Sequence, residues 1–357
     1  MNRLRVAIDA RRLQDVPLGG VGRSMDGVLE RVASEADVTL LTDARRDPAP
    51  SGLRQVALAV VPRAPESVWL QWSVPRWLRR FHGVFHGTFN ALPLHSPAPA
   101  VVTIHDLSWE VHPEGFTPSK RRIFQASARH AARAARVVVT PSQFTRRELI
   151  DCYGVDPRRV VVTPWGVEAR FDPARASDAP ALCERLGVHE PYIVAMGGAP
   201  RRGLAVAIAA WRQLRAEGRP ISLVAVGPEP LPDDPGLARA GYLDDHEWPA
   251  LLAGAHAFCY PTRYEGFGVP ALEGLASGTP VVCAPCGALP EVLDGAAEWC
   301  TSATEPAIAA GLRRVLDDPA RARLLRDAGL RRAAEQPSWD VAAESLLRAY
   351  HAAATDQ

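Results

Sequence analysis

Two glutamates, Glu265 and Glu273, stand in a segment whose residue types suit a phosphorylated ligand. The apolar run Ala257–Tyr260 predicts a strand before them, and Pro270 is typical of the first turn of a helix. Unpaired backbone amides at the start of that helix would face the loop Glu265-Gly-Phe-Gly and attract a phosphate. Glu265 precedes the helix and Glu273 lies within it, so we expect the two carboxylates to contact one ligand at different depths. Because the neighbours of Glu273 are apolar, its carboxylate needs a polar partner, and paired ribose hydroxyls would serve.

A second polar pair, His105-Asp106, directly follows the apolar run Val101–Ile104. At the carboxyl end of a strand, His105 could donate to a substrate hydroxyl while Asp106 orients the ring. Alternatively, Asp106 caps the following turn and His105 is packed in the core. The residues alone leave both interpretations open.

A glycine-rich stretch, Gly19-Gly20-Val21-Gly22-Arg23, precedes the first long predicted helix. It would either reverse the chain or bring backbone amides to an anion or a sugar. A dinucleotide-binding fingerprint would need a glycine where Met25 stands, so we do not expect NAD binding here.

The elements that must position these groups are short β-branched runs that alternate with longer helical patterns, which is typical of parallel α/β sheets. Predicted strands are Leu4–Ala10, Val38–Leu41, Gln55–Val61, Val101–Ile104, Val137–Thr140, Tyr192–Met196, Ile221–Val226 and Ala257–Tyr260, and predicted helices are Val21–Ser34, Ser119–Ala134, Leu204–Glu217 and Asp245–Gly254.

The alternation stops near Phe171 and restarts at Tyr192, which predicts two doubly wound domains in series. We expect an amino-terminal domain at 1–171, a linker rich in Pro, Ala and Asp at 172–190 in which Leu182–Leu186 could form a short helix, and a second domain at 191–336. The remaining 337–357 should form a helix that packs back on the first domain. Ligands of such folds bind outside the carboxyl ends of the strands, so we expect the site in a cleft that both domains face.

The 357 residues carry 41 basic and 40 acidic side chains, and the resulting net charge of +1 excludes non-specific binding to nucleic acid. No apolar run is long enough to span a membrane and no signal-peptide core is present, so we expect a cytoplasmic protein. Six scattered cysteines are typical of reduced thiols. The Cys283-Ala-Pro-Cys286 pair could bind zinc or cycle as a dithiol, but structural thiols are favoured because no second pair stands at the required spacing.

Three tryptophans, Trp69, Trp72 and Trp77, are interleaved with arginines before Phe81. Apolar residues at helical spacing favour a helix packed on the first sheet. Alternatively, the tryptophans contact the inner face of a membrane that carries the substrate.

The segment EGFGVPALEGLASGTPVV, with Glu265 and Glu273 separated by seven residues, resembles the donor-site motif of the retaining GT-B glycosyltransferases of family GT4, a group that includes glycogen synthases and mannosyltransferases. Gly197-Gly-Ala-Pro-Arg-Arg-Gly-Leu204 is similar to the family's Gly-x-x-x-Pro-Arg-Lys-Asn-Leu segment, shortened by one residue. Arg202 replaces the usual lysine and Gly203 the usual asparagine. Because Lys120 is the only lysine in the chain, a general exchange of lysine for arginine accounts for the first departure.

The resemblance extends over nearly the whole chain and implies a GT-B architecture of two Rossmann-like domains, with acceptor binding in the first and donor binding in the second. Further segments that resemble the family are Gly19–Arg23, Val101–Asp106, Pro164–Phe171 and Leu289–Val292. Implied catalytic residues are His105, Arg202 and Glu265, and implied donor-binding residues are Gly20, Gly22, Arg201, Arg202, Gly266, Phe267, Gly268, Val269 and Glu273.

The implied reaction moves a hexose from a nucleoside diphosphate sugar to a hydroxyl of a glycan, lipid-linked or small-molecule acceptor, with retention at the anomeric carbon. We expect no cofactor and no metal, since Arg201, Arg202 and helix amides can stabilise the departing diphosphate. GDP-mannose is slightly favoured over a UDP-hexose. The alternatives are a non-catalytic nucleotide-sugar-binding protein and a sugar-nucleotide epimerase. A pyridoxal-phosphate phosphorylase is excluded because Lys120 lies outside the donor motif.

Overall fold

The computed structural model describes residues 3–14, 20–42, 57–60, 65 and 68–355. The chain divides into two compact units. The first comprises Met1–Gly166 together with Pro337–Gln357, and the second comprises Val167–Gln336.

The first unit is built on a seven-stranded parallel sheet with the order β3-β2-β1-β4-β5-β6-β7. Its strands are β1 (Leu4–Asp9), β2 (Ala36–Thr42), β3 (Ala57–Val60), β4 (Val84–Gly87), β5 (Ala100–Thr103), β6 (Val137–Thr140) and β7 (Val160–Val162). Its helices are α1 (Gly20–Glu35), α2 (Val74–Leu78), α3 (Ser108–Val111), α4 (Pro118–Ala134), α5 (Gln143–Tyr153) and α13 (Trp339–Thr355), and a π-helical stretch, Trp69–Ser73, leads into α2.

Both faces of this sheet are buried, as expected of a parallel sheet. Alternate residues of β1 point to opposite faces: Val6 and Ile8 pack in the cluster that contains α1 and α13, and Ala7 packs in the cluster that contains Trp69. The helical layers therefore cover the sheet on both sides and leave the strand ends to carry polar chemistry.

The second unit is built on a six-stranded parallel sheet with the order β10-β9-β8-β11-β12-β13. Its strands are β8 (Tyr192–Met196), β9 (Ser222–Val226), β10 (Leu237–Gly241), β11 (Ala257–Tyr260), β12 (Val281–Cys283) and β13 (Glu298–Trp299). Its helices are α6 (Ala179–Leu186), α7 (Leu204–Ala216), α8 (Glu247–Gly254), α9 (Val269–Ala276), α10 (Leu289–Leu293), α11 (Glu305–Leu316) and α12 (Pro319–Glu335).

The structure corrects the predicted linker at 172–190. A 3-10 helix, Pro173–Asp178, runs into α6, and both pack against α8 within the second unit. Ala179, Leu182 and Cys183 are buried there, so this Pro- and Ala-rich stretch gains its order from apolar packing rather than serving as a spacer. The division between the units falls at Gly166, not at Phe171.

The chain returns to the first unit through α13. This helix packs against α1 and against β4 to β7. Buried Tyr350 of α13 hydrogen-bonds Nδ1 of His86 on β4 at 2.8 Å, and Thr103 Oγ1 bonds the other ring nitrogen at 2.8 Å. Both ring nitrogens of His86 are therefore committed to neutral partners in the core.

No helix in the part of the chain that the structure describes is both long and apolar enough to cross a membrane.

Candidate functional site

The loops of the donor motif follow β8 and β11, which are neighbours in the second sheet. From β8 the chain continues to β9 and β10 on one side, and from β11 it continues to β12 and β13 on the other side. The strand order therefore reverses between β8 and β11. In open α/β sheets, ligands bind at this point, outside the carboxyl ends of the strands. The fold therefore brings Arg201 and Arg202 into the same crevice as Glu265.

Arg201 joins the two loops. Its carbonyl accepts a hydrogen bond from the backbone N–H of Arg263 at 2.9 Å, and its Nε donates to the carbonyl of Tyr264 at 3.2 Å. The hydroxyl of Thr262 also donates to the Arg201 carbonyl at 3.3 Å. Arg201 thus holds the β8 loop against the β11 loop as well as adding charge to the crevice.

Arg202 keeps unused hydrogen-bonding capacity. Its Nη1 donates to the carbonyl of Gly197 at 2.7 Å, while its buried Nε has no hydrogen-bond partner among the described residues. A buried donor without a partner costs free energy that a bound acceptor would return. Arg202 is therefore anchored to the β8 loop and keeps one donor that the described residues leave unsatisfied.

The glycine at position 203, where the family usually has asparagine, follows from the backbone. Gly203 has φ +72° and is the N-cap of α7. A Cβ at this position would overlap the carbonyl oxygen of Pro261 in the β11 loop. This departure from the family pattern therefore permits close approach of the two loops and is not a sign of a degenerate site.

Glu265 is buried and is held by hydroxyl groups on its own loop. The phenol of Tyr260 donates to Oε1 of Glu265 at 2.6 Å, and Thr262 donates to the same oxygen at 3.3 Å. Burial and the Glu265 carboxylate raise the pKa of Tyr260 well above its ordinary value, so Tyr260 remains a proton donor. The positive charges of Arg202 and Arg201 act on that pKa in the opposite direction.

Glu273 lies inside α9 and is buried, as expected, but the protein itself supplies a partner. Nε1 of Trp248 on α8 donates to Oε2 of Glu273 at 2.7 Å. Trp248 therefore orients the Glu273 carboxylate. From the sequence, ribose hydroxyls, and not a protein side chain, were expected as its polar partner. Sequence reasoning missed Trp248, because no spacing rule connects α8 with α9.

The remaining predicted donor residues form the entrance to α9. Gly268 is the N-cap with φ +101°, Val269 is the first residue of the helix, and Pro270 lies in its first turn as predicted. Gly266 and buried Phe267 complete the loop from Glu265. The local sequence therefore sets up a helix N-terminus directly after Glu265.

A further carboxylate, Glu229, was not found from the sequence. It follows β9, and its Oε1 accepts a hydrogen bond from the backbone N–H of Gly198 in the Arg201–Arg202 loop. A Cβ at Gly197 or Gly227 would overlap this carboxylate, and its Oε2 has no hydrogen-bond partner among the described residues. Its position just after the predicted strand Ile221–Val226 could have indicated it, because polar side chains at the carboxyl ends of strands gather near the ligand.

His105 follows β5, the strand next to β4, and β4 forms with β1 the reversal point of the first sheet. Its Nε2 donates to the carbonyl of Thr88, which follows β4, at 2.7 Å, and its backbone N–H donates to Oδ1 of Asn90 at 2.9 Å. Burial is the main cause that lowers the pKa of His105, and Arg12 acts in the same direction. The ring is therefore neutral at pH 7, and its buried Nδ1, which has no partner in the described residues, is a hydrogen-bond acceptor.

Two details of the His105-Asp106 interpretation change. The Thr88 carbonyl orients the ring, and the ring offers an acceptor rather than the expected donor. Asp106 caps the next turn, since its Oδ1 accepts from the N–H of Ser108 at 2.9 Å and from its hydroxyl at 2.7 Å. The structure therefore agrees with the capping alternative for Asp106, while the buried His105 keeps one ring nitrogen without a partner among the described residues.

A buried ion pair at the end of β1 also escaped the sequence interpretation. Arg11 Nη2 lies 2.7 Å from Oδ2 of Asp9, and the Arg11 guanidinium stacks over Trp69 at 4.0 Å from the ring centroid. Asp9 is the last residue of β1 and Arg11 follows it, at the carboxyl end of a strand, where polar side chains of this fold collect.

The predicted glycine-rich loop is helical where the structure describes it. The helix α1 begins at Gly20, so Gly20 and Gly22 lie in its first turn, where backbone N–H groups lack helical acceptors. Gly19 lies outside the described residues.

The tryptophan segment corrects one of the membrane predictions. Trp69 is fully buried in the core that also contains Leu70, Val74 and Leu78, so it cannot contact a lipid surface. Trp72 is 75% exposed and Trp77 is partly buried. The apolar residues at helical spacing do pack in the core, as predicted. The three tryptophans, however, differ in exposure, so they do not form one common surface.

All six cysteines are free thiols. Burial raises the pKa of Cys286 to about 12, and its thiol donates to the carbonyl of Thr262 at 3.3 Å. Burial likewise raises the pKa of Cys283 well above its ordinary value. Both are therefore protonated structural side chains. The described residues contain no cluster of three or more His, Cys, Asp or Glu side chains suited to a metal ion.

Comparisons with known proteins match both units. Residues 18–171 match the family model described as Glycosyltransferase Family 4, and residues 190–318 match the one described as Glycosyl transferases group 1. The O-antigen chain mannosyltransferase B of Escherichia coli is 30% identical over 288 residues, which cover 75% of this chain and 74% of that protein. The MMP alpha-(1->4)-mannosyltransferase of Mycolicibacterium hassiacum is 34% identical over 67% of this chain and 57% of its own length.

The fold also matches solved structures. Anabaena HepE, solved in complex with UDP and glucose, has a TM-score of 0.75 at 17% identity, with 97% of this chain and 99% of that chain covered. Two doubly wound parallel sheets of this kind define the GT-B architecture. Together with the sequence relatives, this agreement shows that the chain is a GT-B glycosyltransferase of glycosyltransferase family 4.

Proposed function

We propose that this enzyme transfers a mannosyl residue from GDP-mannose to a hydroxyl group of a glycan or lipid-linked acceptor, with retention at the anomeric carbon. A UDP-hexose is the second donor candidate, and a small-molecule acceptor stays open. Two relatives are named mannosyltransferases, which favours mannose, and the E. coli relative is named for the O-antigen chain, which favours a glycan acceptor. The UDP bound to HepE supports a nucleoside diphosphate as the donor's carrier.

One observation carries this proposal: the β8 and β11 loops join two arginines and a buried carboxylate in one crevice. The unpartnered Nε of Arg202 suits the departing diphosphate, because preorganised cations stabilise charge that develops as the glycosidic bond breaks. Glu265 would hold hydroxyls of the transferred sugar, and Glu273, oriented by Trp248, would hold the ribose. The arginines supply the positive charge for which other enzymes use a metal, so we propose metal-independent transfer.

Neither carboxylate is free to act as a simple nucleophile, since Glu265 is held by Tyr260 and Glu273 by Trp248. We therefore favour departure and attack on the same face of the sugar. The bond from the anomeric carbon to the diphosphate oxygen breaks, the acceptor oxygen bonds to that carbon, and the diphosphate takes the acceptor's proton. His105, through Nδ1, would accept a hydrogen bond from a sugar hydroxyl.

Trp72 extends the proposal to a membrane. Its exposed ring, with partly buried Trp77 beside it, suits contact with a bilayer that holds a lipid-linked acceptor.

The first experiment is a thermal melt with GDP, UDP, ADP and dTDP and their common sugars, each with and without EDTA. A ligand at about 100 times its Kd adds about 2.7 kcal/mol of stability, which shifts the melt measurably. Stabilisation by GDP that EDTA leaves unchanged, followed by release of GDP and an α-linked product from GDP-mannose by NMR, supports the proposal. A response to UDP alone would replace mannose by a UDP-linked hexose, and an inverted product would contradict retention.

A further inference from the structure

A hollow of about 590 Å³ lies on the first unit, and neither His105 nor the Asp9–Arg11 pair lines it. Four arginines and two aromatic rings line it: Arg5, Arg76, Arg79, Arg80, Trp77 and Phe81. Three of the arginines come from α2 and the turn that follows it, and the fourth comes from β1. Residues from distant parts of the chain thus converge on one cationic surface.

The positive charge of this hollow is not compensated. No carboxylate lines it, and none of its four arginines forms an ion pair with a carboxylate of the described residues. Asp37, the register partner of Arg5 on β2, pairs with Arg3 instead. Elsewhere arginines gather round acids, as Arg314 and Arg321 do at Glu298. With a net charge of only +1, such a local excess is a feature of this place and not of the whole surface.

The aromatic rings give the hollow a rigid floor. The rings of Trp77 and Phe81 stack with centroids 5.1 Å apart, and the guanidinium carbon of Arg5 lies 5.0 Å from the Phe81 centroid. Stacking limits the motion of a guanidinium group while its N–H groups stay available. Arginine is also the side chain whose planar fork matches phosphate oxygens in pairs. We propose that this hollow is a binding site for phosphate groups, separate from the donor site.

The position of the hollow in the sheet separates it from the donor chemistry. Arg5 is the second residue of β1, whereas Asp9 and the crevice lie at the carboxyl end of that strand. At about 3.3 Å per residue, the four-residue interval spans about 13 Å. The hollow therefore lies at the amino ends of the strands of the first sheet, and all its lining residues differ from the donor-loop residues of the second unit, so its ligand is a second anion.

An adjoining hollow of about 670 Å³ distinguishes two sources of the ligand phosphate. It shares Arg76 and Arg79 with the first and is also lined by Trp72 and Leu94, two of the most exposed apolar side chains of the unit. A lipid headgroup would use both hollows, with phosphate on the arginines and acyl chain against the apolar residues. A free phosphate compound would use only the arginine hollow. The site is the same in both cases, and the sources are separable by experiment.

The test compares two triple variants of the full chain. R76Q/R79Q/R80Q removes three charges from the hollow, and R122Q/R323Q/R331Q removes three exposed arginines elsewhere. Cosedimentation with phosphatidylcholine vesicles, with and without phosphatidylglycerol, measures binding to a headgroup. Calorimetric titration with inorganic pyrophosphate, in an Arg202→Gln background that weakens the donor loop, measures binding of a free phosphate compound. Neither readout needs turnover, so a failure of the donor assignment leaves the test intact.

For a lipid headgroup we expect the wild type and the control triple to bind phosphatidylglycerol vesicles, and R76Q/R79Q/R80Q to bind about 100-fold more weakly. For a soluble ligand we expect no vesicle binding and pyrophosphate binding that only R76Q/R79Q/R80Q loses. If both triples behave alike in both assays, the proposal is wrong. Should the triple variant be destabilised, Arg76→Gln alone serves, because Arg76 lines both hollows, and we then expect about a fivefold loss.

Discussion

The crevices of the two units share one topology, a reversal of strand order between neighbouring parallel strands, but they carry different chemistry. In the second unit, Arg202 and Glu265 stand on loops that glycines allow to approach closely. In the first unit, His105 is neutral and its ring is set by a backbone carbonyl, while the charges of Asp9 and Arg11 neutralise each other. In both sheets polar groups thus stand at the carboxyl ends of the strands, whereas the loops decide which charged side chains stand there and how they are paired.

Replacement of Arg202 tests the charged crevice most severely. We expect Arg202→Gln to lower kcat for transfer about 10³-fold, because it removes a preorganised cation from the departing diphosphate. Arg202→Lys should restore much of the rate, since the family usually has lysine here. Arg215→Gln, an exposed change on the following helix, is the control. Equal rates in all three variants would remove Arg202 from the proposed machinery.

Glu265→Gln should have the next largest effect, a fall of about 10²-fold in transfer. The amide keeps the size of the side chain and can still accept from Tyr260, so the melting temperature should change little. Exposed Glu305→Gln provides the matched control. A normal rate for Glu265→Gln would show that the carboxylate only holds its own loop.

His105 tests whether the neutral crevice takes part. We expect His105→Gln to lower kcat about 30-fold, because the amide still donates to the Thr88 carbonyl but its acceptor oxygen does not stand where Nδ1 stands. His130→Gln, a partly buried histidine that bonds a loop carbonyl in the same unit, is the comparison variant. If His105→Gln changed stability but not turnover, the first crevice would be purely structural.

The buried His86 gives the first unit an acid sensitivity of its own. Burial lowers the pKa of His86 to about 3 from 6.5. Between these values the unfolded chain binds a proton that the folded chain does not, so stability falls as the pH falls, by about 1.4 kcal/mol per pH unit. From pH 6.5 to about pH 5 we expect a loss of about 2 kcal/mol in urea unfolding. His86→Gln should be less stable at neutral pH but show a shallower dependence, and an unchanged slope would contradict this origin.

The smallest expected effect concerns the orientation of Glu273. Glu273→Ala should weaken nucleotide binding about tenfold, and Trp248→Phe, which removes only the N–H donor, about fivefold. Trp211 is a suitable control, because it too is buried in the second unit and donates from Nε1 to a carbonyl, that of Ile221. If Trp211→Phe weakened nucleotide binding as much as Trp248→Phe, the effect would reflect lost stability and not the direction of the carboxylate.

Much of the second crevice was predictable because its signals are local. A strand, a short loop and a proline-started helix follow one another within Ala257–Ala276, so the residue types alone place Glu265 at a helix N-terminus. The alternation of strands and helices was predictable for the same reason, because the apolar pattern of each element is read from neighbouring residues. The predictions that the structure corrected depend on contacts between distant parts of the chain. They are the linker at 172–190 and the exposure of Trp69, and both segments are buried by helices and strands far along the chain.

The sequence by itself determined the class of fold, the donor motif and its two arginines, since each rests on neighbours in the chain. Only the tertiary structure decided the partners: Trp248 for Glu273, Thr88 for His105, Glu229 for Gly198 and the cluster of Arg5 with Arg76, Arg79 and Arg80. Such pairs join segments separated by tens of residues, and the folding of each unit around its own sheet brings them together. No local periodicity reports which distant polar atoms will meet, because that is set by which strands become neighbours.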